Sequence, residues 1–155
     1  MSDAKFEDGA QAPLNLGALD TDDLAVISSL AQDAVFPASE MRWLKREGRF
    51  ALLLNRMRWE DEGTTQGAPE RVQSVLIFNT VQSVSSQGVP KGDPDTVLSL
   101  LHIGFEPSEA PSSHITLTLA GDGAIRLSVE ALDVTLKDVT RPYTAPSKKR
   151  PSHPE

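Results

Sequence analysis

Three side chains of the types that bind metals or move protons fall close together in the sequence: His102, Glu106 and His114. His102 sits beside Leu98 and Leu100 in a segment of alternating apolar residues. His114 opens the next such segment, across a loop from Pro107 to Ser113. If the two segments pair as a hairpin, both imidazoles and the carboxylate approach the loop end. Two ring nitrogens and a carboxylate could then hold zinc or a catalytic iron. The plainer account is a partly buried histidine and a surface histidine, neither of them a ligand. No His-x-His and no His-Glu-x-x-His is present, and a site of this kind needs confirming geometry. His153 lies in a proline-rich end and is expected to be inert.

Other chemistry is thinner. No Gly-x-Ser-x-Gly occurs, and Ser28, Ser74, Ser83, Ser99 and Ser128 fall where helix or strand surfaces are expected. No glycine-rich phosphate cradle opens a helix. Gly121-Asp122-Gly123 lies between two strand-like segments and reads as a hairpin turn. Asp93-Pro94-Asp95 reads as a turn, since a calcium loop needs more oxygen ligands at set spacing. No cofactor is expected.

The most distinctive feature is electrostatic. Between Glu40 and Arg58 stand six basic residues, Arg42, Lys45, Arg46, Arg49, Arg56 and Arg58, against Glu40 and Glu47. Trp43 and Trp59 accompany them. Arg42, Arg46, Arg56 and Arg58 with Trp59 could grip an anionic partner. Residues 14–139 carry a net charge of −8, so nucleic acid would be repelled at long range. Pairing of these arginines with the acidic loop Glu60, Asp61, Glu62 is the plainer account, and exposed pairs of that kind contribute little.

The elements that must carry these groups follow from periodicity. Asp20 or Thr21 can cap a helix whose first turn holds Asp22 and Asp23. Leu24, Ile27, Leu30, Ala31 and Ala34 form its apolar stripe; it ends near Gln32 or at the latest before Pro37. From Met41 the period becomes two. Glu47-Gly48 is a turn. Phe50, Leu52 and Leu54 share one strand face and Ala51, Leu53 and Met57 the other, which suggests a strand covered on both sides. Residues 60–69 read as a loop. Val72 to Val84 makes one bent strand or two short ones, and Val97 to Phe105 another. Ile115, Leu117 and Leu119 alternate out, and Ile125, Leu127 and Val129 alternate back. The alternation then slips by one to Leu132, Val134 and Leu136, as at a bulge or strand bend; a short helix over 131–137 is the competing reading.

The chain has 155 residues, a net charge of −7 and no cysteine, which excludes disulfides and thiol chemistry. Apolar residues make up 39%, enough for one folded domain. No apolar run approaches the ~20 residues of a membrane helix, and the first residues do not resemble a secretory signal; a cytoplasmic location is the default. Residues 1–13 lack periodicity, and residues 140–155 hold four prolines, so both ends are expected to be disordered around a domain over 14–139.

Several runs resemble a family of small proteobacterial proteins catalogued as domain of unknown function 2948. They are Leu24-Ala25-Val26-Ile27-Ser28 with Gln32-Asp33-Ala34; Arg49-Phe50-Ala51-Leu52-Leu53-Leu54-Asn55-Arg56 before Trp59-Glu60; Asp93-Pro94-Asp95 with Val97-Leu98-Ser99-Leu100-Leu101; and Ala124-Ile125-Arg126-Leu127 with Val129-Glu130. They appear in order and cover roughly residues 15 to 140. The resemblance implies no activity, and the C-terminal tail stands outside it.

The expected fold is α+β: a bent antiparallel sheet or small open barrel of about seven to nine strands with one N-terminal helix packed on it, a pleckstrin-homology-like barrel being one candidate. The expected function is non-enzymatic: a binding or adaptor domain with a protein or small-molecule partner, and no membrane. The alternatives are a small-ligand-binding protein or metal-dependent enzyme using His102, His114 and Glu106, and a binder of an anionic partner through residues 42–58. The oligomeric state is open.

Overall fold

The computed structural model describes residues 13–58, 70–89, 93–108, 113–140 and 143–144. The helix α1, Thr21–Leu30, starts where the sequence places it. Asp20 is its N-cap, and the carboxylate accepts the Asp23 amide hydrogen at 2.8 Å. Leu24, Ile27 and Ala31 form the buried stripe. Asp33 then takes a left-handed conformation (φ 65°) and donates its N–H to the Leu100 carbonyl at 2.7 Å, which turns the chain into an extended path well before Pro37.

Strand β1 (Asn15–Ala18) precedes the helix. After it come β2 (Val35–Pro37), β3 (Met41–Leu44), β4 (Arg49–Met57), β5 (Glu70–Phe78), β6 (Val81–Gln87), β7 (Val97–Glu106), β8 (Ser113–Leu119), β9 (Ala124–Val129) and β10 (Val134–Asp138). A two-residue strand, β11 (Tyr143–Thr144), pairs with Arg71 and Glu70. Ten strands of three residues or more thus replace the expected seven to nine. The additional ones include β1 and β2, only four and three residues long, too short to show a period.

Every pairing is antiparallel, in the order β1-β10-β5-β4-β2-β7-β8-β9-β6, with β3 on the flank of β4. The sheet bends at β2, where Val35 pairs with both Asn55 of β4 and Ser99 of β7. Among the described residues it does not close: β1 and β6 remain as edges, so the closed form of a pleckstrin-homology-like barrel is not realised there. One backbone bond, Val81 N–H to the Gly48 carbonyl at 2.8 Å, ties the start of β6 to the turn before β4. Gly48 occupies the left-handed region there (φ 63°), as the Glu47-Gly48 turn requires.

The concave side holds the core. Phe50, Leu52 and Leu54 meet Leu76, Phe78, Val134 and Leu136 on one half. Leu98, Leu100 and Ile103 meet Ile115, Leu117, Ile125 and Leu127 on the other. The helix packs between β1 and β7 and supplies Leu24 and Ile27.

Two ambiguous segments resolve clearly. Val72 to Val84 is two strands, broken at Asn79 and Thr80, where Thr80 is left-handed (φ 56°). The slip after Val129 is a change of partner: β9 ends, the Glu130 N–H bonds the Thr80 carbonyl, and β10 starts afresh beside β5. Residues 134–138 are strand, not helix. The outer face of β4 differs from the expectation of cover on both sides, for Ala51 and Leu53 stay partly exposed.

Candidate functional site

The β7–β8 hairpin forms as expected, and its register fixes the histidines. His114 stands directly across from Glu106, whereas His102 stands across from Thr118, four residues further along β8. At strand rise that is about 13 Å, so the three groups share a face but do not converge. Glu106 instead reaches Arg126 of β9 at 3.8 Å, an exposed pair. Among the described residues no three His, Cys, Asp or Glu side chains lie close enough to share a metal ion.

What His102 meets is the helix. The β7–β8 register shifts between Leu100 and His102, and β7 beyond Ser99, where its pairing with β2 ends, has no strand on that side among the described residues. Ser28 of α1 fills the role: its Oγ accepts the buried Ile103 amide hydrogen at 2.9 Å. The same Oγ lies 3.4 Å from His102 Nδ1, to which the hydroxyl hydrogen can be directed. The far side of the ring lies over Gly104, where a Cβ would stand 3.4 Å from Nε2. A serine and a missing side chain together position the imidazole.

Beside the ring is a cleft of about 240 Å³, lined by Ala25, Ser28, Ser29, Gln32, Leu101 and His102. Ala25, Ser28 and Ser29 of the helix, spaced three and four apart, and Gln32 in the turn just after it form one stripe beside the apolar one. Sequence reading passed over this stripe because it is small and polar, as a solvent face is. Ser29, Gln32 and His102 give the cleft a hydroxyl, a carboxamide and an imidazole, the Ser28 hydroxyl being engaged by Ile103 and His102; among the described residues no carboxylate or lysine or arginine side chain lines it. Such a lining is able to hydrogen-bond a neutral polar group.

The basic stretch divides. Arg42 and Arg46 are exposed. Arg56 has no solvent contact: its guanidinium donates to the Asp138 carboxylate at 3.0 and 3.2 Å, to Ser74 Oγ at 3.0 Å and to the Met57 carbonyl at 3.1 Å. Ser74 Oγ in turn donates to Asp138 at 2.7 Å, and the Leu14 N–H at 2.9 Å occupies the other carboxylate oxygen. Arg58 is 6% exposed and held by Glu70 at 2.7 Å. Arg56 and Arg58 are therefore buried and engaged inside the fold. Among the described residues their acidic partners are Asp138 and Glu70; the 60–62 loop and Trp59 lie outside the described residues.

The signal for this pair was in the phase. Arg56 continues the buried series Phe50, Leu52, Leu54, and Asp138 continues Val134, Leu136. A charge of each sign on a core-facing phase marks a buried ion pair.

Comparison with known proteins adds a family. A model described as "Protein of unknown function (DUF2948)" matches residues 14–153. The chain belongs to the DUF2948 family. The match takes in residues beyond 140, so the tail is not outside the family pattern. Neither the curated proteins nor the solved structures contain a significant match. No helix among the described residues is long and apolar enough to cross a membrane.

Proposed function

We propose that this DUF2948 chain is a non-enzymatic binding domain that takes a small, neutral, hydrogen-bonding ligand in the cleft between α1 and β7. The observation that supports it is the placement of His102, held from behind by Ser28 at 3.4 Å and laid over Gly104 at the mouth of the cleft. An imidazole presents one nitrogen to a ligand when the other is engaged. Ser29 and Gln32 line the same opening and supply a hydroxyl and a carboxamide. The volume suits a fragment-sized molecule or a side chain of a larger partner, being just under the ~300 Å³ at which drug-sized pockets begin.

Two features favour binding over catalysis. Ser28 is 6% exposed and its Oγ is engaged by a backbone amide, so it is badly placed to attack a substrate. Glu106 and His114 lie at the other end of the hairpin, so neither can act with His102 as an acid–base or metal-ligand set.

The test is to follow the His102 ring resonances by NMR during titration with neutral metabolites bearing both amide and hydroxyl groups. At least one should shift them, and the shift should vanish in His102→Ala and in Gly104→Val, which fills the space under the ring. Binding that survives both substitutions sinks the cleft as the site. Turnover of a metabolite abolished by His102→Ala would make the chain an enzyme instead.

A further inference from the structure

The outer surface of the other half of the sheet is built differently from a solvent face. Side chains alternate along each strand, and the register aligns the outward ones in rows. One row, running from β3 to β1, is Arg42, Ala51, Ile77, Thr135, Gly17. The next is Leu53, Val75, Lys137, Asn15; Glu40 closes the short 3-10 turn that leads into β3, next to Met41, which pairs with Leu52. Ala51, Ile77, Leu53 and Val75 thus form a two-by-two apolar block in the middle of the sheet. None is buried, and none is packed against the core, which lies on the opposite face. Around the block stand Arg42, Glu40 and Lys137. None of the three is in an ion pair among the described residues. An apolar centre inside a polar rim is the anatomy of a protein interface.

We infer that a second copy of this chain covers this face, sheet against sheet, about a twofold axis. The choice of occupant follows from the rim and the block. An axis parallel to the strands and through the block turns β3 of one copy onto β10 of the other. Glu40 then comes beside the partner's Lys137, twice over by symmetry. Ala51 lies over the partner's Ile77, small against large, and Leu53 lies over the partner's Val75. An axis perpendicular to the strands brings Arg42 beside the partner's Glu40. Neither arrangement opposes like charges across the block. A rim of both signs is self-complementary, as an isologous interface must be. It suits an acidic or a basic partner less well, since each would meet one repulsive group.

The size is sufficient for a modest dimer. The five strands, β3, β4, β5, β10 and β1, are 4, 9, 9, 5 and 4 residues long, which at strand rise and spacing covers roughly 490 Å² in plan. Accessible area exceeds plan area on a face studded with side chains. A stacked pair therefore reaches the lower end of stable interfaces, about 1,200 Å² in total.

Sedimentation velocity on the full chain from about 1 to 200 µM tests this, a range spanning the affinity of small interfaces. The wild type should pass from monomer to dimer. Leu53→Glu places a charge at the centre of the contact and should weaken it about 30-fold or more. Lys137→Glu, at an exposed position expected to leave the fold intact, should weaken it about fivefold. The charge swap Glu40→Lys with Lys137→Glu should restore association if the axis runs along the strands. Restoration by Glu40→Arg with Arg42→Glu instead identifies the perpendicular axis. A chain that stays monomeric at the highest concentration overturns the inference. So does a dimer indifferent to both Leu53→Glu and Lys137→Glu. Circular dichroism melts confirm that each variant is folded.

Discussion

Arg56 is the largest fully buried side chain among the described residues, and each nitrogen of its guanidinium has an acceptor. A buried ion pair of this kind contributes little net stability over an apolar replacement, but half of one is costly. Asp138→Ala is expected to lower the unfolding free energy by about 3–5 kcal/mol, because it strands a desolvated guanidinium. The double substitution Arg56→Met with Asp138→Leu should cost less than the single one. Urea titration of both decides; a single substitution costing under about 1 kcal/mol would show that water reaches the site. Ser28 gives a second prediction at this scale. Ser28→Ala leaves the Ile103 N–H without its acceptor and should destabilise the fold by about 1–3 kcal/mol. It should also free the His102 ring, seen as broader rotamer averaging in side-chain NMR couplings.

At the scale of elements, local rules account for much. The helix begins at its predicted cap, and Asp20→Ala should cost about 1 kcal/mol by urea titration. The Gly121-Asp122-Gly123 turn is present, with Gly121 and Asp122 both in the left-handed region (φ 81° and 70°). The β7–β8 hairpin and the arms of β8 and β9 follow the alternation of Ile115, Leu117, Leu119 and of Ile125, Leu127, Val129. What local rules missed were the places where two strands share a neighbour they do not adjoin in sequence. The slip after Val129 looked like a bulge because an exchange of partner also resets the phase. The bulge that matters is elsewhere, between Leu100 and His102, where no glycine or proline announces it. The histidine cluster failed for the same reason: residue type and spacing put His102, Glu106 and His114 on one hairpin face, but register spreads them along it.

The whole molecule is a bent, open sheet, and its stability should be uneven. Amides of β4, β5 and β8 lie between paired strands over the core. Those of β6 on the side away from β9 face no strand among the described residues. Hydrogen exchange should therefore be slowest in β4, β5 and β8, and fast at the outward amides of Gln82–Gln87. Slow exchange along the whole of β6 would mean that something pairs with this edge. The bulge between Val81 and Ser83 twists β6 locally, one way in which edges avoid uncontrolled pairing.

The sequence by itself determined the helix, most of the long strands and the composition of the core, because periodicity and capping are local physics. It also held, in the phase of Arg56 and Asp138, the fact that two charges point inward. Only the tertiary structure decided which strands adjoin, and with them every long-range contact. It paired Arg56 with a carboxylate 82 residues away and Ser28 with an amide 75 residues away. It also brought Ala51, Leu53, Val75 and Ile77 into one block. Such contacts depend on register between distant segments, and register is set by the packing of the whole core rather than by any window of sequence.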